Sequence, residues 1–126
     1  MSIRTDHPPG VIIHPLGPVP ANILQHLAIS VQDRCQISCL VGEPMENPGY
    51  AQDPEREQYS CKRILQRLHR CCTPHSWRVL AVTEIDLFVP ILKYVFGAAQ
   101  MEGRCAVISL HRLRPQFYGA EEDEQL

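Results

Sequence analysis

Hydrophobic and polar positions along this chain alternate between two kinds of run, and the runs predict the elements. Val11-Ile12-Ile13-His14 is a short branched apolar run between Pro9-Gly10 and Pro15, which predicts a first strand. Past Pro18 and Pro20, the apolar residues Ile23, Leu24, Leu27, Ala28 and Val31 recur at i, i+1, i+4, i+5 and i+8. That spacing lines one stripe of a helix and puts Gln25 and His26 on its wet side. A second strand is predicted from about Cys35 to Val41. From Ser60, Cys61, Ile64, Leu65, Leu68 and Cys72 share a face opposite Lys62, Arg63, Gln66, Arg67, His69 and Arg70, and Thr73-Pro74 ends that helix. Between these elements, residues 42–57 hold Pro44, Pro48, Gly49 and Pro54 without any period. They predict a long loop, a candidate cleft wall.

Trp77 to Thr83 contains the unbroken run Val79-Leu80-Ala81-Val82, as in a central strand buried on both faces. Tyr94-Val95-Phe96-Gly97 and Cys105 to Leu110 predict two more strands, joined through Gly103. The resulting string is β-α-β-α-β-β-β, an α/β domain with a mixed, mostly parallel five-stranded sheet and helices on both faces. Crossovers between parallel strands are right-handed. With the second strand on one side of the first and the third on the other, the two helices cover opposite faces. The last two strands then have one face without a helix, and an exposed apolar patch is expected around Val107, to be filled by a partner, a second copy or a missing helix.

Composition narrows the function classes. The 126 residues, 44% of them hydrophobic, suit one domain over 1–126, with 1–10 and 120–126 as flexible ends. The net charge is -2 and the arginines are scattered, so the basic stripe of a nucleic-acid binder is missing. The first ten residues hold no apolar signal core, and no run reaches the ~18 apolar residues of a membrane span. A soluble, cytoplasmic chain is expected, with no nucleic-acid or membrane partner. Its six cysteines then read as reduced thiols. Cys35-x3-Cys39 and Cys71-Cys72-x2-His75 could together make four zinc ligands, but neither has the two-residue spacing of a zinc ribbon, so no metal ligands are assigned.

Candidate chemistry is sparse. Glu84 and Asp86 are two apart and would share a face in an extended segment, a possible acid and base pair, or else solvated residues at a strand end. His111 lies beside Arg112 and Arg114, facing a cleft or simply solvent. His14 and His75 read as ordinary strand-end and loop residues. Tyr94 and Phe96 alternate with Val95 and share a face, either as core or as substrate contacts.

Three segments together resemble the archaemetzincins, small zinc metallopeptidases of the metzincin clan. They are Arg56-Glu57-Gln58-Tyr59-Ser60, then Val82-Thr83-Glu84-Ile85-Asp86-Leu87-Phe88-Val89-Pro90 with Tyr94-Val95-Phe96-Gly97, and Ala106-Val107-Ile108-Ser109-Leu110 with Arg112-Leu113-Arg114-Pro115 and Phe117-Tyr118-Gly119. The resemblance implies a metzincin-like N-terminal subdomain and a peptidase whose zinc is held by a His-Glu-x-x-His-x-x-Gly-x-x-His helix. In this chain no His is followed by Glu and no two histidines stand four apart, and Ala120 to Leu126 reads as the approach to that helix cut short.

The resemblance therefore implies the substrate-side portion of a zinc metallopeptidase, with no catalytic residues, inactive alone, and with zinc only where the C-terminal part is present. It also implies that Tyr94, Val95, Phe96 and Gly97 form the edge strand that pairs with an extended peptide substrate. The chain departs from the family at Ile91, where a glycine is usual. Two other readings stay open: a stand-alone, non-catalytic module that captures peptides or partners on that edge, and a small hydrolase built on Glu84, Asp86 and His111.

Overall fold

The fold is known from a computed structural model that describes residues 10–71, 77–100 and 103–113. The first apolar run forms β1 (Gly10–Leu16), which already includes Gly10. Expectations for residues 1–9 and 120–126, and for Cys72 and His75, lie outside the described residues. Helix α1 (Ala21–Cys35) follows Pro20 and buries Leu24 and Ala28. It ends where Gln36 turns left-handed at φ 58° and donates its N–H to the Gln32 carbonyl at 3.0 Å. The predicted second strand is therefore shortened. Cys35 is the last helical residue, and β2 covers only Ser38–Val41.

Residues 42–57 are more ordered than a long loop. Gly42 and Met45 donate their N–H groups to the carbonyls of Ile13 and Pro15, both at 2.8 Å. A 3-10 turn follows at Pro48–Ala51, then β3 (Gln52–Asp53), which pairs antiparallel with β4 (Gln58–Ser60). The connecting turn is closed by Asp53 Oδ1, which accepts from Glu55 N–H at 3.0 Å, and by Glu57 at φ 55°. Strands of two or three residues are too short to show an alternation, which is why the sequence pattern hides them.

Helix α2 (Cys61–Cys71) and strand β5 (Trp77–Thr83) come next, then β6 (Leu87–Phe88), β7 (Gly97–Ala99) and β8 (Cys105–Ser109). The main sheet has the order β2-β1-β5-β8-β7, parallel except for β7, and a second sheet has the order β3-β4-β6. This is the five-stranded mixed α/β sheet expected, with β5 at its centre. The small second sheet is an addition that the sequence reading missed. Among the described residues, no helix is long and apolar enough to cross a membrane.

The two faces of the main sheet carry separate cores. On one, Cys61, Ile64, Leu65 and Leu68 of α2 pack with Leu16, Val79, Ala81, Leu87, Cys105 and Val107. On the other, Leu24 and Ala28 of α1 pack with Ile13, Cys39 and Val82. Side chains alternate along a strand, so when β8 turns Cys105 and Val107 to α2 it turns Ala106 and Ile108 the other way. Val107 is fully buried, so the expected patch is not there. The half-covered surface lies on the opposite face, at Leu80, Ala106 and Ile108; Leu80 and Ala106 line a cavity of about 280 Å³ together with Val11, Val31 and Ala99.

Candidate functional site

The site is built on β7, one of the two edge strands of the main sheet. The expected strand over Tyr94 to Gly97 is displaced: only Gly97 belongs to β7, which runs on to Ala99, while Val95 makes an isolated antiparallel bridge to Leu87 of β6. The physical reason is the clamp described below, which ties residues 92–93 to the second sheet and lets the chain join β8 only afterwards.

The ladder fixes which way the β7 backbone faces. Ser109 N–H donates to the Phe96 carbonyl at 2.8 Å and Gln100 N–H to the Cys105 carbonyl at 3.1 Å, with Ala98 opposite Val107. Antiparallel pairing alternates inward and outward groups, so Ala98 faces β8. The N–H and C=O groups of Gly97 and Ala99 point outward, ready to pair with another strand. Gly97 itself is required: a Cβ there would sit 2.6 Å from the Val107 carbonyl oxygen.

The loop leading into β7 is held by a polar clamp. Arg56 donates from Nη2 to the carbonyls of Leu92 at 2.7 Å and Lys93 at 3.1 Å, and from Nε to Gln58 Oε1 at 2.8 Å. Gln58 is 7% exposed, and its Nε2 donates to Asp86 Oδ2 at 2.9 Å and to the Lys93 carbonyl at 2.7 Å. Asp86 also accepts a two-pronged pair from Arg112, Nε to Oδ1 at 2.8 Å and Nη2 to Oδ2 at 2.9 Å. A buried amide with both ends partnered is rigid, and a fork-to-carboxylate pair adds directional strength. Burial on its own raises the Asp86 pKa. The hydrogen bonds from Arg112 and Gln58 and the charges of Arg112 and His111 outweigh it, holding the carboxyl below its usual value.

Both guanidinium groups also stack on rings: Arg56 lies 4.0 Å from the Phe88 ring centre, and Arg112 lies 3.9 Å from that of Tyr94. Tyr94 in turn meets Phe96 edge to face, with ring centres 5.8 Å apart. The two aromatics are 39% and 44% exposed, so core packing does not explain them. Ile91 is 90% exposed, and its bulk meets solvent instead of the strand.

The other candidates separate. Asp86 is neither solvated nor paired with Glu84 as acid and base; its carboxylate is engaged by Arg112 and Gln58. Glu84 lines a different surface recess with Ile23, Leu110 and Leu113. His111 follows β8 in a 3-10 turn, His111–Leu113. His14 is half-buried within β1 and bonds through Nδ1 to the Glu43 carbonyl at 2.7 Å, fastening the chain after β2. The sequence reading did not single out Arg56, Gln58 and Arg112 as site residues. A signal was present, because all four clamp residues lie in the three segments that carry the family resemblance.

Zinc does not fit what is described. Among the described residues no three His, Cys, Asp or Glu side chains gather into a site that could hold a metal ion, and Cys39 and Cys61 have thiol pKa values raised by burial, which disfavours the thiolate a metal needs. No step is assigned to a metal here.

No family model matches the chain. Solved structures do share its fold: the crystal structure of an archaemetzincin from Methanopyrus kandleri superposes with a TM-score of 0.72 at 28% identity, over 94% of this chain and 68% of that one. The architecture is thus that of the archaemetzincin fold class. In sequence, the chain is 31% identical to the archaemetzincin of Pyrococcus furiosus over 92% of its own length, and 36% identical to that of Methanocaldococcus jannaschii over 86%. These relatives and structural neighbours support the archaemetzincin family for this chain, which spans 64% and 58% of the length of those two relatives.

Proposed function

We propose that this chain is the N-terminal, substrate-side portion of an archaemetzincin-type zinc peptidase and that it does not hydrolyse peptides alone. Its role is to hold an extended peptide on the outer edge of β7. The observation that carries this reading is the orientation of Gly97 and Ala99, whose main-chain groups face away from β8 on a strand with no further neighbour in the sheet among the described residues. An extended backbone satisfies such groups in register, and nothing else does so as economically. The rim predicted from sequence, Tyr94 to Gly97, then splits into two parts: Gly97 joins Ala99 in main-chain pairing, and Tyr94 to Phe96 stand just before it as side-chain contacts.

The sequence supports the reading that the chain does not hydrolyse peptides alone. The His-Glu-x-x-His signature, which would hold the zinc and activate its water, does not occur in this sequence. Isothermal titration of the chain with extended peptides, run beside a peptidase assay with added zinc, tests both halves. Weak binding without turnover is expected. Turnover by the purified chain, or no binding to β7 at any peptide concentration, would overturn the proposal.

A further inference from the structure

We infer that Tyr94 and Phe96 form a side-chain subsite beside the β7 edge, and that it selects extended peptides carrying an apolar residue there. The inference rests on the edge-pairing reading and adds to it the class of peptide.

Exposure gives the first reason. The loop from Ile91 to Phe96 shows four large apolar side chains to solvent: Ile91 at 90%, Leu92 at 50%, Tyr94 at 39% and Phe96 at 44%. Clustered apolar exposure on a small domain usually marks a contact surface.

Preorganisation gives the second. Exposed aromatics on a free loop lose entropy when a ligand orders them, but here Arg56 and Gln58 hold the Leu92 and Lys93 carbonyls. Arg112 covers one side of Tyr94, and the two rings brace each other edge to face. A surface held in place this way binds at little ordering cost.

Electrostatics gives the third. The guanidinium nearest the rings, that of Arg112, already has both oxygens of Asp86 as partners. Its charge is thus already matched, which leaves little gain for an acidic residue there. The same pairing leaves no free carboxylate there for a basic residue, and Lys93 in the same loop is a like charge to it. What remains for contact is the free ring surface, which favours a leucine, methionine or aromatic side chain.

The test uses the 126-residue chain and a set of extended peptides identical except for Leu, Ser, Glu or Lys at two alternating positions, followed by amide chemical-shift titration. The Leu peptide is expected to bind about tenfold more tightly than the Ser peptide, with Glu and Lys no better than Ser. Shifts should centre on Gly97, Ala99 and the Tyr94 to Phe96 loop. In Phe96→Ala and Tyr94→Ala, whose side chains are exposed, the Leu advantage should shrink while Ser binding persists. Equal binding of all four peptides at β7 would overturn the inference and leave edge pairing intact. No shift at β7 with any peptide would overturn both. A Leu preference that survives both variants, or whose shifts map to Leu80, Ala106 and Ile108, would also overturn the inference. So would concentration-dependent shifts at β7 without peptide, because a second copy would then be the occupant.

Discussion

The two faces of the main sheet are built from the same strands yet finished to different degrees. Under α2, Ile64 and Val107 are completely buried, and Leu68 is 1% exposed. Under α1, burial stops at Val82, and Leu80, Ala106 and Ile108 are left half-covered. Topology explains the contrast. The α1 crossover links β1 to β2 at one end of the sheet, so its helix cannot reach β8 and β7 at the other. The α2 crossover ends at the central β5, and its helix lies over β8 and β7. A domain finished on one face and open along its far edge stands firm while leaving a strand ready to pair.

The sharpest way to break this comparison is to hollow each face in turn. Leu68→Ala should cost about 2–5 kcal/mol, the usual range for a fully buried leucine, whereas Ile108→Ala should cost under about 1.5 kcal/mol. Denaturant midpoints read the difference, and equal losses would mean the two faces are equally sealed. Gly97→Ala should cost about 1–3 kcal/mol, because the new Cβ meets the Val107 carbonyl oxygen at 2.6 Å. Its signature is selective loss of the β7 to β8 amide protection with α2 still protected.

Asp86→Asn should cost about 1–2 kcal/mol at neutral pH, since the Arg112 pair is only partly exposed and charge-assisted. A carboxyl held below its unfolded value, near ~3.9, contributes stability that is fully present above that value and disappears as pH falls through the folded one. The variant should therefore lose less stability than the parent as the pH drops below about 4. An identical acid profile in both would remove Asp86 from the clamp.

The smallest effect is a labelling contrast without any change in stability. Exposed Cys35 should alkylate quickly in the native state, while Cys61, buried under α2 and pushed up to about 11, should wait for unfolding. Mass spectrometry of the digested, labelled chain reads both sites.

Much of the main sheet was legible because long apolar runs announce themselves. The stripe from Ile23 to Val31 and the run Val79 to Val82 gave α1 and β5 directly. Short strands did not, because Gln52–Asp53 and Leu87–Phe88 are held by pairing rather than by their own pattern. The face assignment at Val107 failed for want of one parity: a strand buried on alternate residues can present either set, and only the seat of α2 decides which. The clamp was hidden for a related reason. Arg56 and Arg112 meet around Asp86 and Gln58 only after the chain has folded back, and no local spacing predicts such a meeting.

Amide hydrogen exchange along β7 tests the central claim most directly. Without peptide, Ala98 should exchange slowly, with Gly97 and Ala99 fast, because only Ala98 faces β8. With a saturating extended peptide, Gly97 and Ala99 should become protected together. If they stay fast while the peptide is bound, the peptide sits elsewhere and β7 is not the edge that receives it.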